Sequence, residues 1–161
     1  MRGWGRVWVC VLLGAGCGHE SPGRDWVART ETAHRRADEA LARGDFTAGR
    51  EALAGLLATP PPAGVSAEDR RLIEQDALFR LALLEIGAGR ADVALGWADQ
   101  GLRIGRHDDL FSANLLVARG RAHEALGQDT VAAEDYHAAL VINEGLLGQV
   151  LGRPRGLEEA R

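Results

Sequence analysis

The stretch from Gly120 to Leu140 constrains the fold more than any other part of this chain. Its apolar residues recur at helical period in two short blocks, separated by a break at 126–129 in which glycine can end one helix and aspartate can cap the next. Most residues on the facing sides are small, with Tyr136 as the exception, so the two helix axes can approach closely. The stretch therefore predicts a hairpin of two antiparallel helices. One such hairpin cannot bury its own apolar face, and we expect it to be repeated.

Two weaker copies of this arrangement lie upstream. Each has a small residue before a turn glycine and apolar residues at helical spacing after it; the first contains Ala37, Gly44, Asp45, Phe46, Leu53, Leu56 and Pro61, and the second Ala82, Gly89, Ala94, Ala98 and Leu102. Glycine stands where a packing alanine is expected at Gly49 in the first copy and at Gly101 in the second. No stretch alternates apolar and polar residues at period two, so we expect no strands.

The three copies together resemble the tetratricopeptide repeat (TPR) family over roughly residues 25–144. In the third copy the family positions are filled by Leu116, Gly120, Gly127, Ala132, Tyr136 and Ala139. The turn glycines are spaced more widely than the family period of about 34 residues, so the extra residues must lie between hairpins. The resemblance implies an all-α fold, an α-solenoid of about three antiparallel helix hairpins. Residues 143–151 are predicted to form a separate C-terminal capping helix.

Local signals place several helix boundaries. Three successive prolines within 58–67 disfavour a helix there and predict an extended loop between hairpins. Ser66 then begins a variant of the capping box, so the third helix is predicted from about Glu68 to Gly87. The fourth helix is predicted at 91–104, and Asp108 or Asp109 is expected to cap the fifth.

The first 17 residues have the composition of an export leader. Arg2 and Arg6 supply positive charge, and the apolar run at 7–13 is too short to cross a bilayer as a helix. The run ends in a small-residue segment before Cys17 that resembles the lipobox of bacterial lipoproteins, although Gly14 stands where that family usually has leucine. The resemblance implies that Cys17 is diacylated and anchors the chain, and two acyl chains are enough for stable anchoring.

The leader also gives a domain division and a location. We expect a signal peptide at 1–17, a tether at 18–24, a TPR-like domain at 25–151 and a flexible tail at 152–161. Gly18, rather than aspartate, follows the anchor, which in lipoproteins implies delivery to the outer membrane, facing the periplasm. Ordinary secretion with cleavage near Gly18, and an uncleaved leader, are the alternatives.

No constellation of residues predicts catalysis, a metal or a cofactor. His123 and Glu124 begin like the HExxH zinc motif, but Gly127 stands where the second histidine should be. His137 lies on the facing helix and could approach His123, yet two histidines alone make a poor metal site. The sequence contains no glycine-rich phosphate loop and no lysine. We therefore expect a protein that is not an enzyme and has no small-molecule substrate. A net charge of −4 with both signs dispersed argues against nucleic acid as a partner.

Binding of another protein is the function that remains. In the TPR family the first helix of each hairpin lines a concave groove that takes peptides or extended segments. When the groove positions of the family are aligned with the three copies in this chain, they fall on His34, Asp38, Asp76, Phe79, Leu83, Asn114, Val117, Arg121 and Glu124. Phe79 and Leu83, four residues apart on one helix, form an apolar anchor pair, unless Phe79 is simply part of the core.

Two hypotheses follow. The first is a membrane-anchored envelope lipoprotein that acts as a scaffold, binding a protein or peptide partner through its helical repeats. The second is a secreted or tethered structural module that supports a neighbouring protein without a peptide groove.

Overall fold

A computed structural model describes residues 22–152, and all regular secondary structure within this range is helical. The six helices are α1 (Pro22–Arg43), α2 (Phe46–Ala58), α3 (Ala67–Gly87), α4 (Ala91–Ile104), α5 (Leu110–Ala125) and α6 (Asp129–Val150). The all-α prediction and the absence of strands are confirmed for these residues. The leader, including Cys17, and the tail beyond Gly152 lie outside the described residues.

Two of the three predicted helix caps are confirmed. The Ser66 side chain accepts a hydrogen bond from the Asp69 amide at 3.0 Å, and α3 begins directly after it. Asp109 caps α5 in the same way, accepting from the Ser112 amide at 2.8 Å. The third cap, predicted at Asp129, is wrong, because the turn is one residue shorter than expected. Asp129 is already the first residue of α6, and its negative charge lies in the first turn.

All three hairpins close with the same backbone geometry. The turn glycines Gly44, Gly89 and Gly127 have φ angles of 71°, 74° and 72°, in the left-handed region that favours glycine. In the third hairpin the Gly127 amide bonds to the Glu124 carbonyl, and the next amide bonds to the His123 carbonyl, both at 2.9 Å. The other two hairpins repeat this pattern of bonds. Each turn is therefore a Schellman closure that satisfies the last carbonyls of its first helix.

The helices pack in chain order. Each helix contacts the next one, and in addition α1 contacts α3 and α3 contacts α5. No other pair of helices in the described range makes appreciable contact. The odd-numbered helices thus form one continuous layer, while α2, α4 and α6 flank it without touching one another.

Small residues occupy the closest helix contacts, as predicted. Ala37 and Ala82 are buried in the core, and Gly120 is buried at the equivalent position of the third hairpin. These positions let the two helices of each hairpin approach without a side chain between them. The three hairpins therefore share one packing plan.

The two glycines that replace expected alanines have a packing explanation. A β-carbon at Gly49 would lie 2.7 Å from Leu84, and one at Gly101 would lie 2.6 Å from Leu115. Both leucines are fully buried side chains of the following hairpin. Leucine therefore fills the space that alanine would otherwise occupy, and the glycines accommodate it.

Two expectations at the ends of the described range need correction. Residues 143–150 continue α6 without a break, so no separate capping helix forms among them; no proline and no glycine with positive φ interrupts this helix. At the other end α1 begins at Pro22, inside the segment predicted as a tether. A third correction concerns the last hairpin, where the helical period of residues 120–140 also predicts Ala125, Leu126 and Leu140 on the inner faces, but all three are exposed. Ala125 and Leu126 stand at the end of α5 beside the turn glycine, and α5 is the one helix of the described range that contacts α6, the helix of Leu140.

Candidate partner-binding face

The nine predicted groove residues all lie on α1, α3 and α5, the layer in which α3 contacts both α1 and α5. We call this set the A face; it comprises His34, Asp38, Asp76, Phe79, Leu83, Asn114, Val117, Arg121 and Glu124. The same positions relative to the turn glycine recur on each of these helices, and the contacts between α1 and α3 join positions offset by about one helical turn, as in His34–Asp76 and Asp38–Arg80. The A face can therefore be followed from α1 to α5.

Ionic contacts link α1 to α3 at one end of the A face. Nδ1 of His34 lies 3.0 Å from a carboxylate oxygen of Asp76. Arg80 donates to Asp76 at 3.0 Å and also to Asp38 on the neighbouring helix. The structure thus brings three predicted residues together through Arg80, which the sequence analysis missed. The only sequence signal for Arg80 is its position four residues after Asp76 on one helix.

His34 is largely enclosed in this cluster. Burial lowers its pKa and outweighs the opposing effect of the Asp76 carboxylate, while Arg80 lowers it further. Its Nε2 atom is buried and has no hydrogen-bond partner within the described chain. Protonation of His34 is therefore disfavoured in the folded protein.

The centre of the A face is apolar. Phe79 is half-buried and packs against two clusters of buried residues, so much of its ring belongs to the core. This packing favours the structural interpretation of Phe79 over its use as a free anchor. Leu83 is also half-buried, one turn further along α3. Together they leave a limited apolar surface between two polar ends.

The far end of the A face carries polar groups on α5. The Tyr136 hydroxyl donates a hydrogen bond of 2.7 Å to the Glu124 carboxylate. Burial, together with this bond, raises the pKa of Tyr136 to about 12. Arg121 is exposed and forms no ion pair with any residue between 22 and 152.

Asn114 and Val117 complete the α5 part of the A face. Both are half-buried, and Val117 packs against the cluster formed by α5 and α6. Neither offers a large surface. Of the two exposed charged groups at this end, Glu124 is engaged by Tyr136, whereas Arg121 has no ion-pair partner within residues 22–152.

The described residues contain no group of three or more histidine, cysteine, aspartate or glutamate side chains that could hold a metal. His123 contacts Gln128 through Nδ1 and lies 3.8 Å from Asp135 through Nε2, while His137 is exposed. None of the helices described is both long and apolar enough to cross a membrane.

Buried charges that sequence reasoning missed join the helices behind the A face. Glu85 on α3 is almost fully buried and pairs with Arg50 of α2 at 3.1 Å and with Arg90, which precedes α4. Asp135 on α6 is bound by Arg119 through two hydrogen bonds. These contacts fix neighbouring helices relative to one another, and so they help to hold the helices that carry the A face in place.

Comparison with known proteins adds no assignment, since no family model, curated protein or solved structure matches this chain.

Proposed function

We propose that this protein is an envelope lipoprotein that scaffolds another protein, binding an extended segment of it along the A face of a TPR-like solenoid. The observation that carries the proposal is the placement of all nine A-face positions on three helices, with α3 in contact with both α1 and α5. Helical repeat arrays use such continuous surfaces for binding.

The repeated geometry supports a solenoid. The three turn glycines share one backbone conformation, and helix contacts run only between near neighbours in the described range. In solenoid proteins each repeat contacts only its neighbours, and the row of first helices forms a continuous surface. The near-neighbour contacts of the described helices support such an organisation for the three hairpins.

The chemistry of the A face suits a polar, extended segment. At one end Asp38, Asp76 and Arg80 offer charged groups already held in place by one another. At the other end Arg121 is exposed and can bind a carboxylate of the partner, since guanidinium groups pair with carboxylates in a fixed geometry. Leu83 supplies apolar contact between these ends. We therefore propose a partner segment with an acidic residue near Arg121.

The anchor in this proposal is Cys17, because the leader resembles that of bacterial lipoproteins. The chain from Cys17 to the start of α1 is short, so an acylated protein would hold its helices close to the membrane. In Cys17→Ser, we expect release from the membrane fraction and loss of labelled fatty acid. Retention in the membrane, with no labelled lipid on the wild type, would contradict the anchor.

Capture of partners from detergent-solubilised membranes tests the A face. The variants Arg121→Ala and Leu83→Ala should each fail to capture the proteins that the wild type recovers. Phe79→Ala also tests the A face, but it removes core packing at the same time. Arg103→Ala, at an exposed position of α4 outside the A face, is the matched control and should recover them all. Equal recovery by every variant would contradict the groove and favour a structural module. The mutual pairing of His34, Asp38, Asp76 and Arg80 is the observation that keeps this second candidate open.

A further inference from the structure

The outer side of α6 carries apolar residues that the earlier hairpins use for packing. Leu57, Leu102 and Leu140 stand at the same distance after their turn glycines. Leu57 packs against the buried cluster that includes four residues of α3, and Leu102 against the buried cluster that includes Ala113 and Leu116 of α5. Leu140 is 53% exposed, and Leu147, on the same side two turns later, is 58% exposed. The surface that normally receives a following helix is thus open at this end.

The opposite end of the helix array has a cleft. It lies between α1 and α2, has a volume of about 690 Å³, and is lined mainly by alanine, glycine and threonine, with Asp25, Arg29 and Arg36 as its charged residues. Arg29 and Arg36 lie about half a turn around α1 from His34 and Asp38, which contact α3. The cleft therefore opens away from α3. Its small side chains leave room for a larger apolar residue.

The charges of the two ends are complementary. α6 contains four acidic residues and no arginine; Asp135 is buried and bound by Arg119, whereas Glu144 is exposed one turn after Leu140. At the cleft, Arg29 and Arg36 are exposed and have no ion-pair partner within the described range, and Asp25 is the one acidic residue of the lining. An acidic, apolar helix therefore suits the cleft better than a basic one does.

We propose that α6 of one copy packs into the α1–α2 cleft of a second copy, so that the protein self-associates head to tail. Leu140 and Leu147 enter between the small residues of the cleft, and Glu144 pairs with the arginines at its rim. The contact extends between copies the packing that joins successive hairpins within one copy. Because the α6 surface and the cleft differ, a pair of copies still has one unoccupied cleft and one unoccupied α6 surface. Further copies can therefore add to it, and association continues beyond a dimer. The proposal does not depend on occupancy of the A face.

Sedimentation velocity of the full-length chain in a mild non-ionic detergent tests the proposal. The wild type should sediment faster as its concentration rises, and high salt should weaken this effect. Leu147→Glu alters only the α6 surface, and the double variant Arg29→Glu/Arg36→Glu alters only the cleft; each should remain small and monodisperse. All these positions are exposed, and circular dichroism checks that the variants fold. A wild type that stays monomeric at every concentration would overturn the proposal.

Mixing the two variants distinguishes head-to-tail from symmetric association. The Leu147→Glu copy keeps an intact cleft and the arginine variant keeps an intact α6, so a mixture should form a one-to-one pair that does not grow further. If α6 instead packed against α6, the cleft variant alone would still form dimers. That result, or the failure of the mixture to form any complex, would overturn the head-to-tail arrangement.

Discussion

A β-carbon at Gly120 would lie 2.7 Å from the Tyr136 ring, so glycine is what allows α5 and α6 to approach this closely. The same β-carbon would be 3.2 Å from the Ala132 carbonyl oxygen, and a backbone atom cannot easily move away. The third hairpin therefore depends on the missing side chain.

Replacing Gly120 by alanine should destabilise the protein. Overpacking costs about 1–3 kcal/mol, and the gain of up to about 1 kcal/mol from better helix propensity offsets only part of it. Gly96→Ala in α4 is the control, since nothing lies within 4 Å of a β-carbon there, and it should stabilise by up to about 1 kcal/mol. Urea unfolding measures both; equal changes would contradict the close contact.

Replacing Gln75 by leucine should destabilise the core by about 1–3 kcal/mol, the cost of leaving buried polar groups without partners. This fully buried side chain donates to the Gly101 carbonyl at 3.0 Å and to the Gly105 carbonyl, and accepts from Arg71. Gln100→Leu, at an exposed position of α4, should change stability by less than about 0.5 kcal/mol. A Gln75 variant as stable as the Gln100 variant in urea unfolding would be inconsistent with this network.

The titration of the Tyr136 hydroxyl can be followed without a contribution from other tyrosines, because the chain contains one tyrosine. Ultraviolet absorbance should show a pKa of about 12 in the folded protein, raised mainly by burial and further by Glu124. Because the folded pKa exceeds the ordinary value of about 10, this contribution to stability is present below pH 10 and is lost as pH rises toward 12. Glu124→Gln should lower the pKa while leaving it above 10. A wild-type pKa near 10 would rule out this environment.

His34 should make the protein less stable in acid. Its pKa is lowered by burial, so below about pH 6.5 the unfolded chain binds a proton that the folded chain does not. The free energy of unfolding therefore decreases as the pH is lowered. The groups facing it are Asp38 on its own helix and Asp76 and Arg80 on α3. The free energy of unfolding of His34→Gln should lack the part of this pH dependence that lies just below pH 6.5. Identical pH profiles for both proteins would exclude His34 as its source.

The sequence predicted the features of the fold that are local. Turn glycines such as Gly89 and caps such as Ser66 depend on a few neighbouring residues, and the small packing positions recur at fixed distances from each turn. The unbroken course of α6 was missed because the sequence contains no signal that separates a long helix from two short ones.

The ionic contacts were not predictable in the same way. The pairs Asp76–Arg80 and Glu85–Arg90 are local, four and five residues apart. By contrast, Glu85 meets Arg50 only because α2 and α3 are held in one particular register, and Arg80 meets Asp38 only because α1 and α3 are. Spacing along one helix cannot give the relative position of the next, so these contacts required the structure.

Site-specific photo-crosslinking in intact cells is the most direct test of the A face. A photoreactive residue at position 121 on α5 should give a discrete adduct with a partner protein, whereas one at position 93, exposed on α4 outside the A face, should not. The absence of an adduct at 121, or the same adducts at both positions, would contradict binding along the A face.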